Sequence, residues 1–448
     1  MTMVGIGARS AGDSYVPTSG NGGYQVEHYA LDLQYKTATN RLEAVATISA
    51  VSDQQLSRFT LDLSRLRVSR VSVDGRRAAR TQSNGKLTVA PVLPIAAGAA
   101  FTVVVEYAGS PAPRRSKWGL VGWEELTDGV IVASQPTGSP SWFPCNDHPA
   151  DKARYSIRVT TEQAYTVICN GVLTAHTVAA GRGTWQYEQV EPTSTYLATV
   201  QIGRYTVDEV QLGTVPGQLA YPKSLQDRVR ADFALLPAMM GYFESVFGAY
   251  PFDTYTAVVT SDDLEIPLEA QSMAIFGANH VDGFGGEERL IAHELAHQWF
   301  GNSVGLDGWQ HIWLNEGFAC YAEWLWSEHA GKASAEALAR SFHAQLLTMP
   351  QNIVLGDPGP VDMFDDRIYK RGALTLHALR AVLGEQSFFT MLRDWATTNG
   401  SVTPVNSDDF RAHAARYSDR PLDAFFDAWL FSLAVPPLPQ RTPGRTPR

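Results

Sequence analysis

The stretch Glu287 to Gly301, EERLIAHELAHQWFG, constrains this chain more than any other. Gly285 and Gly286 precede it, and Gly301 stands where a left-handed residue ends a helix. The pattern predicts one helix over residues 287–301, buried through Leu290, Ile291, Leu295, Trp299 and Phe300. His293 and His297 are four residues apart, so their imidazoles project from one face about one turn apart. One ring nitrogen from each can then reach a single zinc ion, with Glu294 beside it and within reach of a zinc-activated water.

A third ligand follows. Glu316 lies in Asn315-Glu316-Gly317-Phe318-Ala319, with eighteen residues between His297 and Glu316. That length lets the first helix end, a loop turn, and a second helix pack antiparallel beside it. Its carboxylate then completes a two-histidine, one-glutamate set with a fourth position left for water. Mid-helix Gly317, flanked by Trp313 and Phe318, marks a tightly packed segment. Glu323, seven residues after Glu316 on the same face, is suited either to hydrogen-bond a ligand histidine or simply to pack. His280 and His311 match no ligand position, and Trp309, Trp313, Trp324 and Trp326 read as core. In such a site Glu294 takes the water's proton as hydroxide attacks a carbonyl. The tetrahedral intermediate needs a further oxyanion donor, which residue type alone does not choose among 17 tyrosines and 11 histidines.

The 448 residues are too many for one ordinary core. With 44% hydrophobic and 18% charged residues, the composition is that of a soluble globular protein. A net charge of −10 without a basic tract argues against nucleic acid as a partner. No apolar run has the length of a signal peptide or a bilayer span, so no membrane association and a cytoplasmic setting are expected. Cys145, Cys169 and Cys320 lack C-x-x-C spacing and read as buried, reduced thiols. Oligomeric state is left open.

The fold class expected is α+β and multidomain. Residues 1–22, rich in Gly, Ser and Thr, read as a flexible lead-in. Residues 23–205 read as an all-β saddle or sandwich, from alternation such as Tyr29, Leu31, Leu33, Tyr35 and Phe101, Val103, Val105, Tyr107. Asp74-Gly75, Asn84-Gly85 and Asn170-Gly171 are hairpin-type turns. Residues 206–436 read as a mostly helical domain, and the Pro/Arg-rich residues 437–448 as a disordered tail. In the helical domain, Ser224 reads as an N-cap and Pro237 as a kink or break. Strands are expected over 255–260 and 273–276. Helices are expected over 311–330, 335–347, 371–383, 387–396, 408–417 and 422–431.

HELAHQWFGN followed by NEGFA, with eighteen residues between His297 and Glu316, resembles the aminopeptidase N family of gluzincins, which includes the leukotriene-epoxide hydrolases. Upstream, Gln135 followed by Trp142-Phe143-Pro144-Cys145-Asn146-Asp147-His148-Pro149 resembles the family's Q…R-x-F-P-C-x-D-E-P block. Downstream, Tyr369-Lys370-Arg371-Gly372-Ala373 resembles its Y-x-K-G-A segment. The matches run in the family's order from about residue 24 to residue 380.

The resemblance implies a thermolysin-like catalytic domain with one zinc on His293, His297 and Glu316. It further implies Glu294 as general base, Tyr369 as oxyanion donor, and peptides with a free N-terminus as substrates of an aminopeptidase. Glu269, 24 residues before His293, matches the glutamate of the G-x-M-E-N motif that binds the substrate's ammonium, and Gln135 is implied in substrate binding. Ile266 and Ala270 replace that motif's first Gly and its Asn, and Pro267 removes an N–H from a strand that in the family pairs with substrate. Glu265 would share a strand face with Glu269. The length implies a short form without the family's C-terminal helical domain. The alternatives are a thermolysin-like endopeptidase and a non-catalytic peptide-binding protein on the same scaffold.

Overall fold

A computed structural model describes residues 5–400 and 403–439. The chain forms two compact units. The first contains the chain up to Ala231 and Phe252–Phe284, and the second Asp232–Pro251 and the chain from Gly285.

The first unit is built on an eight-stranded sheet. Its strand order is Val172–Ala179, Arg182–Thr193, Ala153–Glu162, Tyr24–Lys36, Arg41–Ser52, Ala100–Gly109, Arg67–Val73 and Arg76–Arg77. Alternation buries one face: Tyr29, Leu31, Leu33 and Tyr35 pack with Val103, Val105 and Tyr107 in one core. A bulge between Val26 and His28 shifts the phase, so Tyr24 and Val26 also point inward. Asp74-Gly75 and Asn84-Gly85 have positive φ at both positions and close two of the three expected hairpins. Asn170-Gly171 does not. The strands on either side of it pair with different partners, and a Cβ on Gly171 would lie 2.1 Å from the Glu188 carbonyl oxygen, so the glycine serves close backbone approach.

The expected flexible lead-in is, from Gly5 on, part of the fold. Gly5–Ile6 pairs in parallel with Leu56–Asp62, and Tyr15 and Val16 are buried. A buried polar network explains why a Gly/Ser-rich segment is held. Lys86 Nζ lies 2.5 Å from Asp62 Oδ1 and donates to the Gly20 carbonyl at 2.6 Å. Asn21 Nδ2 donates to Asp62 Oδ2 at 2.8 Å, and the Asn21 amide donates to Asn146 Oδ1 at 2.6 Å. Polar side chains supplied from four distant stretches satisfy each other, a signal that local composition does not carry.

The expected boundary at residue 205 also moves. Tyr205–Leu212 and Val215–Pro222 form a hairpin, and the second strand pairs in parallel with Tyr255–Val259, which pairs in parallel with Met273–Phe276. Leu268–Ala270 is the edge strand of this sheet. Its core residues Ala220, Val258 and Ile275 pack with Ile131 and Ile168 from the preceding β-region. Parallel pairing across the intervening helical segment therefore keeps residues 205–222 and 255–276 with the β-unit.

Helix α1 spans Gln226–Asp232, and α2 spans Leu236–Phe247 after a 3₁₀ turn at Phe233–Leu235. Pro237 sits in the first turn of α2, where its missing N–H costs nothing, and the break expected there is real. Ser224 is not a cap; it lies in a 3₁₀ turn, Lys223–Leu225. The remaining helices are α3 (Glu288–Ala296), α4 (Trp313–His329), α5 (Ala335–Thr348), α6 (Asp366–Leu383), α7 (Glu385–Thr398), α8 (Ser407–Ala415) and α9 (Asp423–Phe426), the last running into a π turn at Asp427–Phe431. Trp309, Trp313, Trp324 and Trp326 are buried, as are all three free cysteines. Among the described residues no helix is long and apolar enough to cross a membrane. Residues 440–448 of the expected tail lie outside the described residues, and residues 437–439 carry no regular structure.

Candidate metal centre

Helix α3 is shorter than its sequence pattern. It ends at His297 rather than Gly301, because Asn302, Ser303 and Val304 donate back to His297, Gln298 and Trp299 in a wider turn. Gly301 has φ +121°, and a Cβ there would lie 3.2 Å from Asn315 Nδ2 and 3.3 Å from His297 Nδ1; the glycine leaves room for these two side chains rather than capping the helix. His293 and His297 remain one turn apart and point the same way. Their Nε2 atoms lie 3.5 and 3.3 Å from Glu316 Oε2 on α4. A tetrahedron with ligand bonds near 2.1 Å has edges of about 3.4 Å, so the donor atoms stand at zinc spacing. All three side chains are buried, and their donor atoms lie close enough together to hold a metal ion. Two imidazoles and one carboxylate on two rigid helices fit zinc.

The outer nitrogens are fixed as a metal site requires. His293 Nδ1 lies 2.7 Å from Glu323 Oε1, and His297 Nδ1 lies 3.0 Å from the Phe300 carbonyl oxygen. With both Nδ1 atoms engaged by these outer partners, the Nε2 atoms are the nitrogens turned toward Glu316. Of the two readings open for Glu323 from sequence, the hydrogen bond to His293 is the one present, and Arg289 Nη1 holds its other oxygen at 3.4 Å. Arg289 was missed in the sequence, although its place one turn before His293 on the same helix face was the available signal. His280 and His311 are buried elsewhere: His280 Nδ1 accepts from the Gly277 amide, and His311 Nδ1 lies 2.9 Å from Ser407 Oγ.

The local field favours positive charge. Burial alone would lower the His293 pKa, but hydrogen bonds to Glu316 and Glu323 outweigh it and push it up to about 10. Burial raises Glu316, yet the two histidines hold it down to about 2. Glu294, 4% exposed, is pushed up, chiefly by burial. Its Oε2 is buried and has no hydrogen-bond partner in the described structure, so this oxygen is not committed to holding the fold.

Glu316 and Tyr369 sit on helices that touch backbone to backbone. A Cβ built on Gly317 would fall 2.7 Å from Gly372 Cα, and one on Gly372 would fall 2.6 Å from Gly317 Cα. Only glycine on both sides permits α4 and α6 this approach. Helix α6 begins five residues earlier than expected, at Asp366, because Asp365 accepts from the Arg367 amide as N-cap. Tyr369 therefore lies on its first turn, with its ring near parallel to the His293 imidazole at 6.1 Å between centroids. Gly317→Ala forces the helices apart next to a ligand. We expect it to cost about 1–3 kcal/mol of stability and to lower retained zinc, measured by thermal unfolding and metal analysis. Unchanged zinc and melting temperature would show that the helix contact is not critical.

In the β-unit, Gln135 Nε2 donates to Glu269 Oε1 at 2.6 Å, so two residues 134 positions apart meet directly. Glu269 stands on the edge strand Leu268–Ala270, opposite Ala274. Pro267 precedes that strand and removes no N–H from its three-residue ladder, and Glu265 is exposed outside the strand, so the shared-face expectation fails.

Comparison with known proteins gives the family. Residues 25–197 match the peptidase M1 N-terminal domain, and residues 235–429 match the peptidase family M1 domain. The chain belongs to peptidase family M1. The M1 zinc metallopeptidase from Deinococcus radiodurans is 30% identical, with a TM-score of 0.89 over 97% of this chain and 100% of that one. A mutant of that peptidase bound to a Tyr-Ser-Ala substrate superposes equally well, at a TM-score of 0.89 and 30% identity over the same shares. The leucyl aminopeptidase of Saccharolobus solfataricus is 26% identical over 81% of this chain and 48% of its own length. Human endoplasmic reticulum aminopeptidase 1 is 29% identical over 66% of this chain and 34% of its own length. The chain thus spans less than half the length of these curated M1 relatives.

Proposed function

We propose that this chain is a zinc aminopeptidase that hydrolyses the N-terminal peptide bond of peptides with a free N-terminus. The observation that carries the reading is the buried donor set of His293, His297 and Glu316, with both outer histidine nitrogens fixed and Glu294 beside it. The aminopeptidases among its relatives support the exopeptidase part. A zinc ion held there supplies Lewis acidity to a water molecule and to the scissile carbonyl. Glu294 accepts the water's proton and delivers it to the leaving amine. The Tyr369 hydroxyl donates to the oxyanion of the tetrahedral intermediate. Glu269, its carboxylate oriented by Gln135, pairs with the substrate's ammonium, which sets cleavage one residue from the amine. The three free, buried cysteines suit a reducing compartment, and a cytoplasmic setting is part of the proposal.

Glu269→Ala separates this reading from endopeptidase activity. The variant is expected to lose about 10²-fold in kcat/KM on amino-acyl arylamides, as misplacement of a substrate does. The unaltered enzyme should ignore N-acetylated peptides. Equal cleavage of acetylated and free peptides would sink the amine-anchor assignment and favour an endopeptidase.

A further inference from the structure

Arg371 is a buried cation without a carboxylate partner. It is 5% exposed, and among the described residues burial, with no carboxylate beside it, is the one influence on its charge. Its guanidinium instead donates to backbone carbonyls. Nε reaches Trp429 at 3.0 Å, Nη1 reaches Leu433 at 3.0 Å and Ile353 at 3.3 Å. Nη2 reaches Ser432 at 2.5 Å, Ala428 at 3.3 Å and Ala434 at 3.4 Å. All but one of these acceptors belong to the stretch 428–434, formed by the π turn Asp427–Phe431 and the chain after it. Helix ends and π turns leave carbonyls without their usual intrahelical partners. One planar group with five N–H donors satisfies a whole cluster of them. Burial draws the arginine down to about 10, yet it remains charged at neutral pH, so these contacts are charge-assisted.

The position of this clamp is what matters. Arg371 lies two residues after Tyr369 and one before Gly372, whose Cα meets Gly317 beside the ligand Glu316. The start of α6 is thus held from two directions: by the glycine contact to α4 and by the guanidinium on the terminal stretch.

We propose that Arg371 is a positioning residue, which fastens the stretch 428–434 to the first turns of α6 and so holds Tyr369 beside His293. The proposal rests on the reading of Tyr369 as oxyanion donor given above. A purely structural arginine would affect how much protein folds and not how fast each zinc-loaded molecule turns over. A positioning arginine acts on kcat through Tyr369 alone.

The test compares R371M, R371K, Y369F and R371M/Y369F in the full chain, each normalised to bound zinc. Zinc-loaded R371M is expected to lose about 10- to 100-fold in kcat with little change in KM. It should bind a phosphinic peptide, a tetrahedral mimic, more weakly by a similar factor while binding a free amino acid as before. R371K, keeping the charge and three donors, should recover most of the loss. In the Y369F background R371M should have no further effect. If R371M does not fold, R371K carries the same test: a small kcat loss that vanishes in the Y369F background. An unchanged kcat per zinc in R371M, or the same fold-loss with and without the Tyr369 hydroxyl, would overturn Arg371's role and leave the Tyr369 assignment standing. Full turnover by Y369F would instead sink the donor assignment and this proposal with it.

Discussion

Glu294→Gln is expected to leave the protein folded and zinc-loaded while reducing turnover of amino-acyl arylamides by about 10³- to 10⁴-fold. The substitution keeps shape and removes the lone pair that accepts a proton. Glu294 is outside the donor set His293, His297 and Glu316, so metal analysis should return about one zinc per chain, as in the unaltered enzyme. Stability should not fall either. The carboxylate is buried and its Oε2 has no donor to lose, so a neutral amide relieves desolvation and breaks no hydrogen bond at that oxygen. Loss of zinc from the variant would mean that Glu294 supports the metal. Undiminished turnover with zinc bound would remove it from the proton path.

The parts of this site that could be read from the sequence are those set by helical geometry. His293 and His297 had to share a face, and the spacing to Glu316 allowed a second helix to return beside the first. Likewise the alternation at Tyr29 to Tyr35 could have meant little other than a half-buried strand. What could not be read depended on distant partners. The hold on Gly20 and Asn21 comes from Lys86, Asp62 and Asn146, and that on Gly5 and Ile6 from pairing with Leu56–Asp62. The placement of residues 205–222 with the β-unit follows from parallel pairing to Tyr255–Val259, which no local pattern announces. Asn170-Gly171 has hairpin composition, but its glycine answers to the Glu188 carbonyl. The start of α6 was missed because its cap, Asp365, is followed by Arg367 and Lys370, which blur the apolar period. Gly372 gave no sign by itself; its meaning appears only against Gly317.

Tyr369→Phe is expected to lower kcat by about 10²- to 10³-fold, equivalent to about 2.7–4 kcal/mol of transition-state stabilisation, with a modest change in KM. The argument is one of differential binding. A hydroxyl that meets charge only as the carbonyl oxygen becomes an oxyanion contributes little to the Michaelis complex, so its loss appears in kcat. The ring itself is retained, and with it the near-parallel contact to His293 at 6.1 Å. Zinc content and melting temperature should therefore match the unaltered protein, because the helix contact at Gly317 and Gly372 and the clamp at Arg371 are untouched. Steady-state kinetics on a panel of amino-acyl substrates distinguishes the possible roles. A raised KM at constant kcat would make the hydroxyl a substrate-binding group rather than an oxyanion donor. Equal losses in kcat across substrates with different first side chains would tie it to the scissile carbonyl, the one feature that all of them share.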